Sequence, residues 1–323
     1  MSEASWYNLA PASSPTNSRA SMVYHSGQNK LILYGGEIAA VPNRQTWEFD
    51  GTNWTNLAPT FSLVSYPDRS GFAMAYDSVA DRIIAHGGRI PSGGTNTSQA
   101  TLSYNYGTNT WTQLNPATIP GERWNHNMVY DINLDFTFMF GGSTLYNAPA
   151  SVVDTTWRWN GTDWTQLFPA SAPSPRMNHA MCYWPQQNKT ILYGGINNVT
   201  NYYDTWSFDG TDWTQLSAGP GPAFDNPRTQ MTVDPLTGKV ILYGIFEISP
   251  GVYQGQLWEW NDGLATWYQV NTNTAPIMPT TPILAPYSPL TGAVLYGAIA
   301  GPTYQTWKTI LSDGTACMVG FIF

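Results

Sequence analysis

Three observations predict an all-β fold built from six repeated four-stranded sheets. First, a short apolar run ending at a glycine recurs six times. That glycine falls at positions 35, 87, 141, 194, 244 and 297, so the interval stays between 50 and 54 residues. A period near fifty marks an array of equal supersecondary units. Second, paired aromatics follow the run in Trp47–Trp54, Tyr104–Trp111, Trp157–Trp164, Trp206–Trp213 and the longer Trp258–Trp267. Third, apolar residues alternate or run continuously over short stretches and nowhere recur at helical spacing. An open sheet of about 24 short strands would expose long unpaired edges. A six-bladed β-propeller of four-stranded antiparallel blades buries them by radial packing, and is preferred to a sandwich.

The elements follow in order within each unit. The first strand is an alternating run such as Phe72-Ala-Met-Ala-Tyr-Asp77 or His126-Asn-Met-Val-Tyr-Asp131. The second is the run before the glycines, as in Leu31-Ile-Leu-Tyr-Gly-Gly36; it is apolar on both faces and so central in its sheet. The third and fourth are an aromatic hairpin, best seen in Thr155-Thr-Trp-Arg-Trp-Asn-Gly-Thr-Asp-Trp-Thr-Gln-Leu167. Trp157 and Trp159 are two apart and share a face of an extended chain. Asn160-Gly161 is read as a two-residue turn. The units span about 12–58, 59–115, 116–168, 169–217, 218–271 and 272–311.

The ends of the chain bear on closure. The sixth unit has Trp307 but no tryptophan after it, whereas Trp6-Tyr-Asn-Leu-Ala-Pro11 matches Trp54-Thr-Asn-Leu-Ala-Pro59 at five of six positions. The N-terminal strand, 5–11, is therefore expected to complete the last blade and close the ring. Ala316-Cys-Met-Val-Gly-Phe-Ile-Phe323 competes for that slot, as an apolar strand or tail over 312–323.

Composition bounds the function. Of 323 residues only 11% are charged, against a usual ~25%, and the net charge is −8. Nucleic acid is not the expected partner. No run of 18 apolar residues is present, so no membrane span is expected. Met1-Ser-Glu-Ala-Ser-Trp6 lacks the basic and apolar regions of a signal peptide. Cys182 and Cys317 are 135 residues apart; Cys182 lies in an apolar run and reads as a free buried thiol. No Cys/His metal spacing and no His-Glu-x-x-His occurs, so no cofactor, no metal and no catalytic residue is assigned.

The order Arg-x-x-His, apolar run, Gly-Gly and paired aromatics resembles the Kelch repeat. Arg123-Trp-Asn-His126 through Gly141-Gly142 to Trp157 and Trp164 carries the resemblance best, and Arg176-Met-Asn-His179 through Gly194-Gly195 to Trp206 and Trp213 nearly as well. It covers roughly residues 6–310. Units one, five and six depart from it. Arg19 and Arg228 stand three residues before the aligned methionine instead of five, and Ile245 and Ala298 replace the second glycine.

In a four-stranded meander alternate connections share an end. The segments after each Gly-Gly (37–46, 89–103, 143–156, 196–205, 246–257) therefore join those before each Arg. They are long and unlike one another, which is where recognition resides on a rigid scaffold. The turns of the opposite face are short and alike. The candidate binding residues are Arg69, Arg123, Trp124, His126, Tyr146, Arg176, His179, Tyr202, Tyr203 and Arg228. The resemblance implies a peptide or ligand near the central channel. Arginines there could clamp a carboxylate, and Tyr and Trp could stack on sugar rings. Against this, a repeat arginine at a strand start commonly bonds loop carbonyls, and the repeated tryptophans read as blade packing.

Three functions are compatible with these features. The leading one is a non-enzymatic binding module taking a protein segment or glycan on the long-loop face. The alternatives are a structural surface or virion decoration protein, with an assembly contact through the C-terminal tail, and a Kelch-type sugar-active enzyme. The polar, lysine-poor surface favours an extracellular or virion surface over the cytoplasm.

Overall fold

The computed structural model describes residues 3–91, 97–146, 151–224, 229–234, 237–250, 252–272, 277–278, 283–284, 293–299 and 303–311; over 3–8, at 248, 252 and 253, and beyond 270 only the backbone is described. The described residues are all-β, with no α-helix and hence no helix long and apolar enough to cross a membrane.

Four antiparallel blades follow the expected strand order. Blade one is Ser21–His25, Lys30–Tyr34, Thr46–Phe49 and Trp54–Asn56. Blade two is Ala73–Asp77, Arg82–His86, Thr101–Asn105 and Thr110–Leu114, with Thr60–Ser62 added parallel at its edge. Blade three is Asn127–Asp131, Phe136–Phe140, Thr156–Trp159 and Trp164–Leu167. Blade four is Ala180–Trp184, Lys189–Tyr193, Thr205–Phe208 and Trp213–Ser217. The first strands of successive sheets, from Ser21–His25 to Gln230–Val233, lie side by side, so the sheets radiate from a common axis.

The core is built between blades, because a sheet in a propeller buries both faces against its neighbours. Val23, Ile32 and Tyr34 of blade one pack on Phe72, Ile83 and Trp111 of blade two. Ala73 and Ile84 of blade two pack on Met139, Trp157 and Trp164 of blade three. Phe138 and Phe140 pack on Leu192 and Trp213, and Cys182 and Tyr193 on Leu242 and Trp267. Cys182 is free and buried, and burial pushes its thiol pKa up.

A polar tie repeats at each of these interfaces. The fourth-strand indole N–H donates to the threonine that opens the third strand of the preceding blade: Trp111 to Thr46 at 3.0 Å, Trp164 to Thr101 at 2.9 Å, Trp213 to Thr156 at 3.0 Å and Trp267 to Thr205 at 2.9 Å. Buried indole N–H groups need such partners. The tryptophans are thus packing groups, and the threonines before Trp47, Leu102, Trp157 and Trp206 are their acceptors.

The structure corrects the count of six blades and the closure. Among the described residues five blade sheets form, not six, because units five and six share one nine-stranded sheet. It runs Gln230–Val233, Val240–Ser249, Val252–Asn261, Thr266–Thr272, Glu3–Asn8, Thr303–Leu311, Ala293–Ile299, Ile283–Leu284, with Ile277–Met278 beside Val252–Asn261. Glu3–Asn8 pairs antiparallel with Thr303–Leu311 but also parallel with Thr266–Thr272, so it joins two units edge to edge. Closure of a ring onto blade one is not shown.

Unit five also departs from the blade pattern at its second glycine. Gly36, Gly88, Gly142 and Gly195 adopt φ of 91°, 97°, 86° and 98°, a turn that ends the second strand. A β-branched residue avoids that region, and at Ile245 the strand runs on to Ser249 and returns as a ten-residue partner. The stretch 246–257, read as a long loop, is therefore mostly strand. The aromatic hairpins also differ in detail: Trp159 pairs directly with Trp164 across four loop residues, not two. Asn160 Oδ1 accepts the N–H of Thr162 and Asp163, which makes the turn an Asx turn with only Gly161 at positive φ. The tail 312–323, with Cys317, lies outside the described residues.

Candidate functional site

The long-loop end is assembled by a clasp between blades. The carbonyl of Arg69, Arg123 or Arg176 accepts the N–H of the second glycine of the preceding blade, at 2.8 Å from Gly36, 2.6 Å from Gly88 and 2.9 Å from Gly142. A Cβ on the first glycine, Gly35, Gly87 or Gly141, would collide with that same carbonyl. Gly-Gly and Arg are therefore two halves of one joint.

The arginine side chains then brace their own blades. Arg69, 0% exposed, donates to Gly87 O at 3.0 Å and Tyr66 O at 2.8 Å. Arg176, also 0% exposed, donates to Gly194 O at 2.9 Å and holds Asp204 with two bonds of 2.6 and 3.0 Å. Arg123, 3% exposed, reaches Thr155 Oγ1 at 2.8 Å and Pro120 O at 3.3 Å and has no carboxylate partner among the described residues; burial lowers its pKa to about 10. In blade one Asn17 takes this place, donating to Gly35 O at 2.6 Å. The guanidinium groups are turned into the protein, toward loop carbonyls.

A second ladder runs around the axis. The N–H of Gly71 donates to Arg19 O at 3.0 Å, that of Asn125 to Gly71 O at 2.7 Å, and that of Asn178 to Asn125 O at 3.0 Å. All four residues have φ between 53° and 61°, a left-handed conformation open to Gly and Asn. Each stands three residues before a core methionine, Met22, Met74, Met128 or Met181. The displaced Arg19 is thus not a brace but the first rung of this ladder.

On top of the ladder lies a charged and aromatic cluster in which two sequence candidates, Trp124 and Tyr146, meet three groups that were not among them, Arg19, Glu37 and Arg89. Glu37, buried, accepts Arg89 Nη1 at 2.9 Å and Ser70 Oγ at 2.7 Å and pairs with Arg19 Nη1 at 3.5 Å. Arg89 extends over the ring of Tyr146, 4.6 Å from its centroid. Tyr146 packs on Trp124 at 4.9 Å, and Trp124 Nε1 donates to Leu145 O at 2.9 Å. Three blades contribute, and two guanidinium groups share one carboxylate. Arg19 and Arg89 keep 33% and 22% of their side chains exposed.

The remaining candidates separate by burial. His126 and His179 are buried in the clasp region, with His86 5.8 Å from His126 between ring centres. Burial holds the pKa of His86 and His179 down to about 3 and that of His126 well below its ordinary value, so all three are neutral near pH 7. Tyr202 is half-buried, stacked under Arg176 at 4.1 Å, and accepts a bond from Asn197 at 2.6 Å. Tyr202 and Tyr203 line a shallow surface crevice with Tyr193 and Phe224. Arg228 lies outside the described residues. The structure thus brings Arg19, Glu37, Arg89, Trp124 and Tyr146 together, and sets Tyr202 and Tyr203 apart from them by a blade.

Neither the models of known protein families nor the curated protein sequences match this chain. The fold defines the class: an all-β propeller of four-stranded blades, an architecture that commonly serves protein interaction.

Proposed function

We propose that the chain is a Kelch-like, non-enzymatic interaction module whose contact surface is the axial end of the long-loop face. The observation that carries this reading is the Glu37 cluster. Two part-exposed arginines share one buried carboxylate, so one positive charge remains for a partner. Tyr146 and Trp124 give it an aromatic floor. A cation fixed by a carboxylate and an aromatic ring is preorganised, and its binding of an incoming carboxylate costs little side-chain entropy. The partner is then an acidic peptide segment or an acidic glycan. In this reading Tyr146, Tyr202 and Tyr203 touch the ligand, while Arg69, Arg123, Arg176, His126 and His179 hold the loops that present it.

The test is an array of acidic and neutral peptides and glycans, probed with wild type, Arg89→Met and Tyr146→Ala. Acidic members should bind, and Arg89→Met should weaken them by about 1.5–3 kcal/mol, the value of a charged hydrogen bond. Binding of neutral members only, or binding indifferent to Arg89→Met, contradicts the reading.

A further inference from the structure

The end of the molecule opposite the long loops carries the charge that the Glu37 cluster lacks. The turns between first and second strands lie there, because alternate connections of a meander share an end. Val79 and Asp135, from the turns of blades two and three, line one groove with Asp77, Arg82 and Tyr130. Arg82 Nε lies 3.5 Å from Asp77 Oδ2, and those two charges offset. Asp135 accepts the Tyr130 hydroxyl at 2.7 Å, and Asp81 accepts that of Tyr76 at 2.6 Å. Both carboxylates are exposed, and neither has a lysine or arginine partner among the described residues. His25 Nε2 stands 3.6 Å from Asp81 Oδ1, but burial lowers the histidine pKa, so the ring is neutral near pH 7. Two negative charges are left over.

The same turns expose apolar side chains that the fold does not require. Blade two has Ser78-Val-Ala-Asp81 and blade three has Ile132-Asn-Leu-Asp135, with Val79, Ile132 and Leu134 all exposed. Blade one closes the same strand pair with Ser26-Gly-Gln-Asn29, and blade four with Pro185-Gln-Gln-Asn188. Polar turns therefore serve the strands equally well. Aliphatic side chains gathered beside uncancelled charge mark a contact surface.

The long-loop end presents the complement. Ile38 and Val41 pair across a short hairpin, and its Ala40 carbonyl accepts Arg89 Nη1 at 3.2 Å. Leu145 precedes Tyr146, the ring that Arg89 covers. Ile38, Val41 and Leu145 are all exposed. One end thus sets an uncancelled cation among three aliphatic side chains, and the other sets uncancelled carboxylates among three more. The net charge of −8 opposes self-contact only at low salt. At ~0.15 M ionic strength the Debye length is ~8 Å, so the facing groups decide.

We propose that the acidic partner of the long-loop face is a second copy of this chain, whose blade-two and blade-three turns seat on the Glu37 cluster with Asp135 against Arg89. This rests on the acidic-partner reading above. Each copy uses a different surface at either end, so the contact is heterologous and builds an open stack unless a rotation closes it. A few aliphatic contacts and one ion pair place it in the weak, concentration-dependent class.

The experiment is sedimentation velocity at ~0.15 M salt, from micromolar to millimolar protein. It uses wild type, Arg89→Met, Asp135→Asn and the double variant Ile132→Ser with Leu134→Ser. Wild type should gain average mass with concentration, and each variant should need about tenfold more protein to do so. Asp135→Asn still accepts the Tyr130 hydroxyl, so its effect reads the charge and not the fold. Arg89→Met and the double variant each keep one working end, so their equal mixture should form a dimer and nothing larger. A wild type that stays monomeric throughout overturns the proposal. So does association indifferent to Arg89→Met and Asp135→Asn, or a mixture that does not pair. A monomeric wild type that binds acidic peptides through Arg89 sinks the self-contact alone and leaves the acidic-partner reading standing.

Discussion

The indole–threonine tie between blades can be measured as a coupling energy. Trp164 is 1% exposed, and its N–H meets Thr101 Oγ1, itself buried, at 2.9 Å. Trp164→Phe removes that bond, worth about 0.5–1.5 kcal/mol, and part of a buried ring. Trp→Ala losses of about 3–5 kcal/mol set the ceiling, so about 2–3 kcal/mol is expected. Thr101 keeps His86 Nδ1 as a partner at 3.1 Å, which spares the full cost of an orphaned hydroxyl. Thr101→Val should cost about 1–2 kcal/mol. The double variant should then show a coupling of about 0.5–1.5 kcal/mol. Urea unfolding followed by far-ultraviolet circular dichroism measures all four corners of the cycle. Trp157→Phe is the comparator, since Trp157 Nε1 has no hydrogen-bond partner among the described residues, and it should cost less than Trp164→Phe. A coupling indistinguishable from zero, or equal losses at Trp157 and Trp164, would refute the tie.

The ion pair and its missing counterpart form a matched test. Asp204→Ala leaves Arg176 buried and unpaired and should cost about 3–5 kcal/mol in urea unfolding. Thr155→Asp, at the corresponding place beside Arg123, should raise the melting temperature by supplying the absent carboxylate; a lowered midpoint would contradict this. Acid should destabilise the protein through its buried histidines. His86 and His179 are held to about 3 when folded, against an ordinary ~6.5. The unfolded chain takes up protons that the folded one refuses, so their stabilisation is complete above about pH 6.5 and is lost as pH falls toward 3. Each contributes a slope of about 1.4 kcal/mol per pH unit. Phe140 holds the position of His86 in blade three. His86→Phe should therefore be accommodated and make the acid limb shallower by that amount, and an unchanged limb would contradict the assignment.

The blade pattern could be read in the residues because local and tertiary signals agree there. A five-residue apolar run, two glycines and a paired-aromatic hairpin each demand the same four-stranded unit, and blades one to four obey. The count failed where one of those signals is absent. Ile245 does not make the left-handed turn of Gly36 or Gly195, so its strand continues, and Glu3–Asn8, pairing with both Thr266–Thr272 and Thr303–Leu311, joins unit five to unit six. Period alone could not show this, since the spacing is kept while the turn is lost. The long-loop face was located from connectivity, and Trp124 and Tyr146 were named on it, but the ion pair beside them was not. Arg123 and Arg176 drew attention as recurrent cations, yet they share with Arg69 the clasp on the Gly-Gly of the preceding blade, which accounts for their recurrence. Glu37 and Arg89 occur once each in their register and carry no repeat signal. The axial ladder left a trace in the Gly or Asn three residues before each methionine, and the offset of Arg19 was that same trace.

Amide hydrogen exchange at the axis tests the radial arrangement most directly. The N–H groups of Gly71, Asn125 and Asn178 lie between strands in sequence, where an ordinary loop amide exchanges quickly. In this structure they bond from blade to blade around the axis, so their protection should approach that of Met74 and Val129 in the first strands. Exchange as fast as that of the exposed loop residue Val199 would mean that the blades do not converge there, and neither the axis nor the contact surface built on it would stand.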